Sequence, residues 1–263
     1  MDKPICLFDS GIGGLTVLKK LLSKFPNEEY IYFSDLARVP FGDRTKDEIQ
    51  NIANEIISWL HRYNPKAIIM ACNTSSSVLF EQGRINPATT VPLYGMIKGC
   101  AKEVASSNFS KVTIWATKLV VESNAYKKEI QKINPNLIVE EIACPKLVPI
   151  IEDLSFNPQD KELGISQYLE KTSEDSQALV LGCTHYPLVQ NELSKLTRLK
   201  LIDPADYILK DLEKHISTNG RFHAKDQVTL YTTAQKEKVE KFTSLYLGKH
   251  HKVNLVSIDK VHV

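Results

Sequence analysis

Short apolar runs rich in β-branched residues alternate with helical patterns along the whole chain. The runs occupy residues 5–8, 30–33, 67–71, 112–115 and 178–182. Between them lie segments with an apolar period of 3.6 residues. The clearest begins after Thr45 and Glu48, a capping-box pair, and places six apolar residues on one face: Ile49, Ile52, Ala53, Ile56, Ile57 and Leu60. This alternation is typical of βα units, so the sequence predicts an α/β fold with mostly parallel sheets.

The composition excludes several other classes of protein. The 263 residues are 43% hydrophobic and 24% charged, which is the balance of a globular protein and not of a disordered one. The net charge of +2 is too nearly balanced to suggest a nucleic-acid surface by bulk charge, although it leaves room for a local basic face. The apolar runs are far shorter than the roughly 20 residues of a membrane span. Because the N-terminus does not resemble a signal peptide, we expect a cytoplasmic protein. From the short apolar runs and the balanced charge, we expect neither a membrane nor a nucleic acid as a partner.

The second half of the sequence repeats the plan of the first. The apolar run before Ser10 has a counterpart before Thr117, 107 positions later, and the run before Cys72 has one before Cys183, 111 positions later. Self-similarity at a nearly constant offset indicates related units. We therefore expect two pseudo-symmetric α/β domains. The residues after position 206, with a strand-like run at 228–231, have no counterpart in this duplication.

Two of the five cysteines stand in equivalent positions. The wide spacing of the five disfavours a disulfide framework and a zinc site. Cys72 and Cys183 each follow a buried strand and precede a predicted helix, whose dipole favours a thiolate. A single such cysteine is commonly a small buried hydrophobic residue. Two of them can flank one substrate, as a two-base proton transfer requires, whereas a single nucleophilic cysteine needs no such symmetry.

One more polar segment follows a predicted strand, where open α/β sheets bind ligands. Residues 9–14, DSGIGG, combine a carboxylate and a hydroxyl with backbone amides that can hold an anion. The alternative is an ordinary turn with a helix cap. His185 is close enough to Cys183 to tune its thiol or to bind a carboxylate, and the alternative is a structural histidine. No suitably spaced residue completes a zinc site with Cys183 and His185, so the spacing disfavours zinc there.

Six ordered motifs carry a resemblance to a known family. They are FDSGIGG at residues 8–14, ARVPFG at 37–42, ACNT at 71–74, CPKLVPIIE at 144–152, LGCTHYP at 181–187 and DPA at 203–205. Over nearly its whole length the sequence resembles the bacterial glutamate racemases of the cofactor-independent aspartate/glutamate racemase superfamily. The resemblance implies an active site in the cleft between two domains, with residues 1–95 and 207–263 in the first and residues 96–206 in the second.

The resemblance also implies roles for individual residues. Cys72 and Cys183 would be the catalytic bases, with Cys183 deprotonating L-glutamate and Cys72 D-glutamate. Asp9 would assist Cys72, while Glu152 and His185 would assist Cys183. The substrate would be bound by polar side chains and backbone amides from both domains: Asp9, Ser10, Phe41, Gly42, Asn73, Thr74, Thr184 and His185.

The partners follow from the same resemblance. It implies glutamate as substrate, no cofactor or metal, a homodimer, and supply of D-glutamate for peptidoglycan synthesis. One alternative is a relative acting on aspartate or another amino acid, against which the DSGIGG opening argues. A hydrolase using Cys183 and His185 would leave Cys72 unexplained. A binding protein is a further alternative, since some family members are reported to inhibit DNA gyrase, but the net charge of +2 does not favour it.

Overall fold

The computed structural model of the chain describes residues 3–80, 90–153, 155, 157–216 and 227–258. The strands within these residues are β1 (Ile5–Asp9), β2 (Tyr30–Ser34), β3 (Ala67–Met70), β4 (Leu93–Gly95), β5 (Lys111–Ala116), β6 (Ile138–Ala143), β7 (Ala178–Gly182), β8 (Lys200–Ile202), β9 (Val228–Thr232) and β10 (Val253–Leu255). The α-helices are α1 (Leu15–Lys24), α2 (Lys46–His61), α3 (Asn73–Leu79), α4 (Met96–Ala105), α5 (Lys118–Ser123), α6 (Ala125–Ile133), α7 (Leu147–Glu152), α8 (Pro158–Leu169), α9 (Gln190–Leu196), α10 (Ala205–Glu213) and α11 (Lys236–Leu247). Two short 3-10 helices are Phe41–Asp43 and Tyr186–Val189.

The strands form two sheets, and every pair of neighbouring strands is parallel. The first sheet has the order β10-β9-β2-β1-β3-β4, and the second has the order β6-β5-β7-β8. The predicted α/β class with parallel sheets is therefore confirmed. Parallel strands need helical crossovers, which explains why the apolar runs and the helical patterns alternate in the sequence.

Helices cover both faces of each sheet. Along β1, Ile5 and Leu7 join one apolar cluster with α1, α10 and α11, while Cys6 and Phe8 join another with α2 and α3. Consecutive side chains of a strand point to opposite faces, so a strand covered on both sides must be apolar throughout. The second sheet is built in the same way, since Ile114 and Trp115 of β5 lie in different clusters.

The strand order also accounts for the repeat in the sequence. Strands β2-β1-β3-β4 of the first sheet occur in the same spatial order as β6-β5-β7-β8 of the second. Ser10 and Thr117 follow the equivalent strands β1 and β5, and Cys72 and Cys183 follow the equivalent strands β3 and β7. The two halves therefore share one plan. The domain limits given above, residues 1–95 with 207–263 and residues 96–206, stay a prediction.

The C-terminal segment returns to the first sheet. Strand β9 pairs with β2, and β10 extends the sheet beyond β9. Helix α11 packs through Val239 and Phe242 into the same apolar cluster as α1. Thus the C-terminal segment that had no counterpart in the duplication adds two strands to one edge of the first sheet, and its strand-like run is β9.

The capping box is confirmed, but the helix expected directly after Cys183 is not an α-helix. The Thr45 hydroxyl accepts a hydrogen bond from the Glu48 amide, and the Glu48 carboxylate accepts one from the Thr45 amide. After Cys183 the chain forms the single-turn 3-10 helix Tyr186–Val189, with Pro187 in its first turn, before α9 begins. No helix among the described residues is long and apolar enough to cross a membrane.

Candidate active site

A cavity of about 520 Å³ lies where the carboxyl ends of the two sheets meet. It is lined by residues that follow β1, β3, β5, β6 and β7, as expected of ligand sites in open α/β sheets. The structure brings together nearly all of the sequence-predicted site residues on its walls: Ser10, Phe41, Gly42, Cys72, Asn73, Thr74, Glu152, Cys183, Thr184 and His185. Asp9 is the exception, because it lies fully buried behind the wall.

Cys72 belongs to the wall built from the first sheet. It is the N-cap residue of α3, is 4% exposed, and its thiol points to the Ser10 hydroxyl with a sulfur to oxygen distance of 3.8 Å. Burial and then the negative charge of Asp9 raise the pKa of this thiol to about 11, although hydrogen bonds from Ser75 and Ser10 oppose the rise. Desolvation therefore outweighs the dipole of a helix only seven residues long, the feature that favours a thiolate in the sequence.

Asp9 fixes the glycine-rich turn from behind. One carboxylate oxygen accepts hydrogen bonds from the amides of Gly11 and Gly14, each at 3.1 Å, and the other accepts one from the Thr184 hydroxyl at 3.3 Å. Burial raises the pKa of Asp9, and the positive charge of His185 is the largest influence in the opposite direction. Asp9 therefore connects the turn after β1 to the segment after β7.

Cys183 belongs to the wall built from the second sheet and is 7% exposed. Its sulfur lies 3.8 Å from Nδ1 of His185, whose Nε2 lies 2.7 Å from Oε1 of Glu152. The other carboxylate oxygen of Glu152 accepts a hydrogen bond from Lys238 at 2.6 Å. These four side chains form one connected row from the cavity wall to α11.

Charge complementarity shifts the pKa values of Glu152 and His185 in opposite directions. Burial opposes both charges, but hydrogen bonds and charge attraction outweigh it. Partners His185 and Lys238 lower the pKa of Glu152 to about 2, and partners Cys183 and Glu152 raise the pKa of His185 to about 10. At neutral pH the carboxylate is ionised and the imidazole carries a proton on each nitrogen, so that Nδ1 can donate to the Cys183 sulfur.

The Glu152–His185 pair should make stability depend on pH in a bell-shaped way. The contribution of Glu152 to the free energy of unfolding is present above the ordinary glutamate pKa of 4.5 and is lost as the pH falls toward 2. The contribution of His185 is full below the ordinary histidine pKa of 6.5 and is lost as the pH rises through about 10. Urea unfolding of the wild type and of Glu152→Gln should therefore differ most between pH 4.5 and 6.5. A difference that stays constant into the alkaline range would contradict this assignment.

Two hydrogen bonds between the halves position hydroxyl and amide groups at the cavity. The Thr74 and Thr117 hydroxyls lie 2.9 Å apart. The buried Tyr126 hydroxyl donates to Oδ1 of Asn73 at 2.6 Å. Asn73 is 2% exposed, and its Nδ2 is buried without a hydrogen-bond partner. An unpaired buried donor on a cavity wall is available to a ligand carboxylate.

The chain matches one family model. Residues 13–212, more than half of the chain, match the family described as Asp/Glu/Hydantoin racemase. The chain belongs to this racemase family. Racemases are isomerases, so the protein is an enzyme of that class, and the cavity is its candidate active site.

Named relatives of this racemase match along almost the whole chain. Glutamate racemase 2 of Caldanaerobacter subterraneus subsp. tengcongensis is 34% identical over 266 residues, which cover 98% of this chain and 99% of that protein. The glutamate racemase of Francisella tularensis, solved in complex with D-glutamate, is 35% identical, covers 98% of both chains and has a TM-score of 0.87. A glutamate racemase isoform of Bacillus anthracis is 28% identical, covers 97% of both chains and also has a TM-score of 0.87.

Three residues in or beside the candidate active site have no role that the sequence assigns. Lys238 lies 86 positions from Glu152, and no local pattern points from one to the other. Tyr126 lies on α6 within an apolar pattern that indicates only core packing. Cys144 lines the cavity, although its sequence context indicates only a core or incidental thiol; its place directly after β6 is the available signal.

The described residues of this racemase contain no cluster of side chains suited to bind a metal ion. Within those residues no three His, Cys, Asp or Glu side chains are arranged to hold a metal ion. The donors that line the cavity are hydroxyl, amide, imidazolium, ammonium and thiol groups, and carboxylates line it as well, which together suit a charged organic ligand.

Proposed function

We propose that the protein is a glutamate racemase that interconverts L-glutamate and D-glutamate by proton transfer between two cysteines. One observation carries the proposal: Cys72 and Cys183 follow equivalent strands of two different sheets and line the same cavity. Racemisation through two bases needs one group on each side of the α-carbon. A single sheet presents its carboxyl-end residues from one side only, so two facing sheets meet this requirement.

In the L to D direction, Cys183 acts as the base. Its thiolate takes the α-proton, the Cα–H bond breaks, and the electron pair is delocalised into the α-carboxylate. The Cys72 thiol then donates its proton to the opposite face of Cα. The raised pKa of Cys72 suits this step, because the group must carry a proton when the reaction starts. The reverse reaction exchanges the two roles, with Asp9 assisting at Cys72 and His185 and Glu152 at Cys183.

The proposed substrate contacts come from both halves. The α-proton of an amino acid is a very weak acid, so the developing negative charge needs preorganised donors in a site that excludes water. The side-chain amide of Asn73 and the hydroxyls of Ser10 and Thr74 supply hydrogen-bond donors, while the imidazolium of His185 contributes positive charge and Thr184 lines the same wall. Backbone amides at Phe41 and Gly42 add further donors, and Asp9 acts through the turn that it holds.

Glutamate is the proposed substrate because the relatives that match over nearly the full length are named glutamate racemases, and one was solved with D-glutamate. We further propose a cytoplasmic homodimer that supplies D-glutamate for peptidoglycan synthesis without a cofactor. The family membership supports these finer assignments.

Circular dichroism of glutamate tests the proposed function directly. L-glutamate incubated with the reduced protein, with no cofactor added, should lose its signal, and D-glutamate should appear in equal amount. A parallel incubation with L-aspartate should stay flat. Decay of the aspartate signal alone would reassign the substrate, and two flat traces from a folded protein would favour a binding role.

Tyr126→Phe should weaken substrate binding more than turnover. The variant removes only the hydroxyl that holds Oδ1 of Asn73, so the amide can rotate and its Nδ2 no longer faces the substrate reliably. One hydrogen bond to a charged group contributes about 1.5–3 kcal/mol, so KM for glutamate should rise roughly tenfold or more. Steady-state kinetics should show the larger change in KM. An unchanged KM would mean that Asn73 is oriented by other contacts.

A further inference from the structure

Lys238 reaches the cavity from the last helix of the chain. Helix α11 packs against α1 and β10 on the side of the first sheet, whereas Glu152 ends α7 beside the second sheet. Lys238 lines the cavity and donates to Oε2 of Glu152 at 2.6 Å. The ion pair therefore joins the two halves at the edge of the candidate active site.

The Lys238–Glu152 ion pair is linked through His185 to the thiol of Cys183. Oε1 of Glu152 lies 2.7 Å from Nε2 of His185, and Nδ1 of that ring lies 3.8 Å from the Cys183 sulfur. Each carboxylate oxygen has its own cationic partner. The terminal torsion of a glutamate is broad and two-fold, so a carboxylate held at one oxygen can still rotate. A second partner on the other oxygen removes that freedom.

We propose that Lys238 is a positioning residue, which fixes the Glu152 carboxylate and through it holds the His185 imidazole beside the Cys183 sulfur. The inference rests on the proposed function. Lys238 does not exchange a proton with the substrate in this scheme. It acts through Glu152, and the arrangement is complete only when α11 and α7 lie together.

The alternative of a purely stabilising ion pair fits the geometry less well. The Lys238 side chain is 31% exposed and that of Glu152 is 19% exposed. Ion pairs of this exposure contribute little to the free energy of unfolding, because solvent screens them. The same pair can have a large effect on a reaction, because a small displacement of a catalytic group lowers the rate strongly.

Several charged groups surround His185 and must be kept constant in any test. Cys183 lies on its own segment, Glu152 faces it from α7, and Asp9 faces it from the end of β1. Lys238 is placed behind Glu152. A variant that removes only the lysine keeps the side chains of Cys183, Glu152 and Asp9, although it also removes one influence that lowers the pKa of Glu152. Its effect at a pH well above the ordinary glutamate pKa therefore reports on the position of Glu152.

The kinetic test compares three variants of the full chain in the glutamate assay. Lys238→Met should lower kcat about tenfold at an unchanged KM, because alignment is lost while the proposed substrate contacts remain. Lys238→Arg should recover most of the rate, since its guanidinium also binds a carboxylate. Lys241→Met removes an exposed lysine of the same helix and should match the wild type. A raised KM at unchanged kcat would overturn the proposal in favour of direct substrate contact, and unchanged kinetics would overturn it as well.

A second measurement does not depend on activity. Proton NMR of the ligand-free protein should show a downfield Nε2–H resonance for His185, hydrogen bonded to Glu152, in the wild type and in Lys238→Arg. The resonance should broaden or vanish in Lys238→Met. If it persists there, the positioning role is wrong. If the wild type fails to racemise glutamate while the resonance behaves as expected, the proposed function falls and the positioning of His185 by Lys238 stands.

Discussion

Serine at position 72 or at position 183 should reduce glutamate racemisation by about a thousandfold, within the range that a general acid or base contributes. A serine hydroxyl is close in size to a thiol but far less acidic, so it cannot supply a thiolate. In a two-base scheme every turnover uses both groups, one to remove a proton and the other to deliver one. Cys72→Ser and Cys183→Ser should therefore be comparably inactive in the circular dichroism assay, although each protein folds.

Cys144→Ser is the matched control for both variants. Cys144 lines the same cavity, and its thiol lies 3.5 Å from the backbone oxygen of Ile142. Its burial raises its pKa, and the proposed reaction gives it no role. The control should keep most of the activity. Loss of activity in Cys183→Ser alone would instead indicate a single nucleophilic cysteine, and activity in both serine variants would exclude the two-base scheme.

Alanine at Gly13 should disrupt the site almost as strongly. An added Cβ would lie 2.4 Å from both Nδ1 of His185 and Oγ1 of Thr184, closer than real Cβ contacts. The imidazole must move away from Cys183 or the turn after β1 must shift. Misplacement of a catalytic group by about 1 Å can lower the rate about 100-fold. Overpacking of this kind also costs about 1–3 kcal/mol in the free energy of unfolding.

Gly11→Ala separates this clash from the general effect of replacing a glycine in the turn. Its added Cβ would meet Leu36 at 3.5 Å and Glu152 at 3.8 Å, which are ordinary contacts. Chemical denaturation should therefore show Gly13→Ala to be clearly less stable than Gly11→Ala. Equal stabilities would mean that the segment after β7 can shift to make room for the added Cβ. The close fit of Gly13 against this segment would then not be needed to align His185.

Local patterns predicted most of the fold, because parallel strands and their crossover helices leave periodic traces in the sequence. The strand–helix alternation and the Thr45–Glu48 capping box needed no tertiary information. The internal repeat likewise anticipated that Cys72 and Cys183 occupy equivalent positions. The one-turn 3-10 helix after Cys183 is not predictable in this way, because a run of polar residues before a helical pattern does not specify the type of helix.

The site was harder to predict wherever distant segments meet. Desolvation of Cys72 depends on how the surrounding elements close over it, which outweighs the local helix dipole. The ion pair between Glu152 and Lys238 joins elements that only the folded chain brings together. Likewise, the close fit of Gly13 against His185 is a property of packing and not of the DSGIGG motif.

The return of the C-terminal segment to the first sheet has a consequence for biosynthesis. Strand β2 is entirely buried and apolar in character, and its outer edge pairs with β9, almost two hundred positions further along the chain. A ribosome therefore releases β2 long before the strand that will cover it. Throughout that interval the nascent chain exposes an unpaired edge, the kind of surface that recruits other strands. Chaperone capture of the emerging N-terminal half would cover this edge, and rapid completion of translation would shorten its exposure.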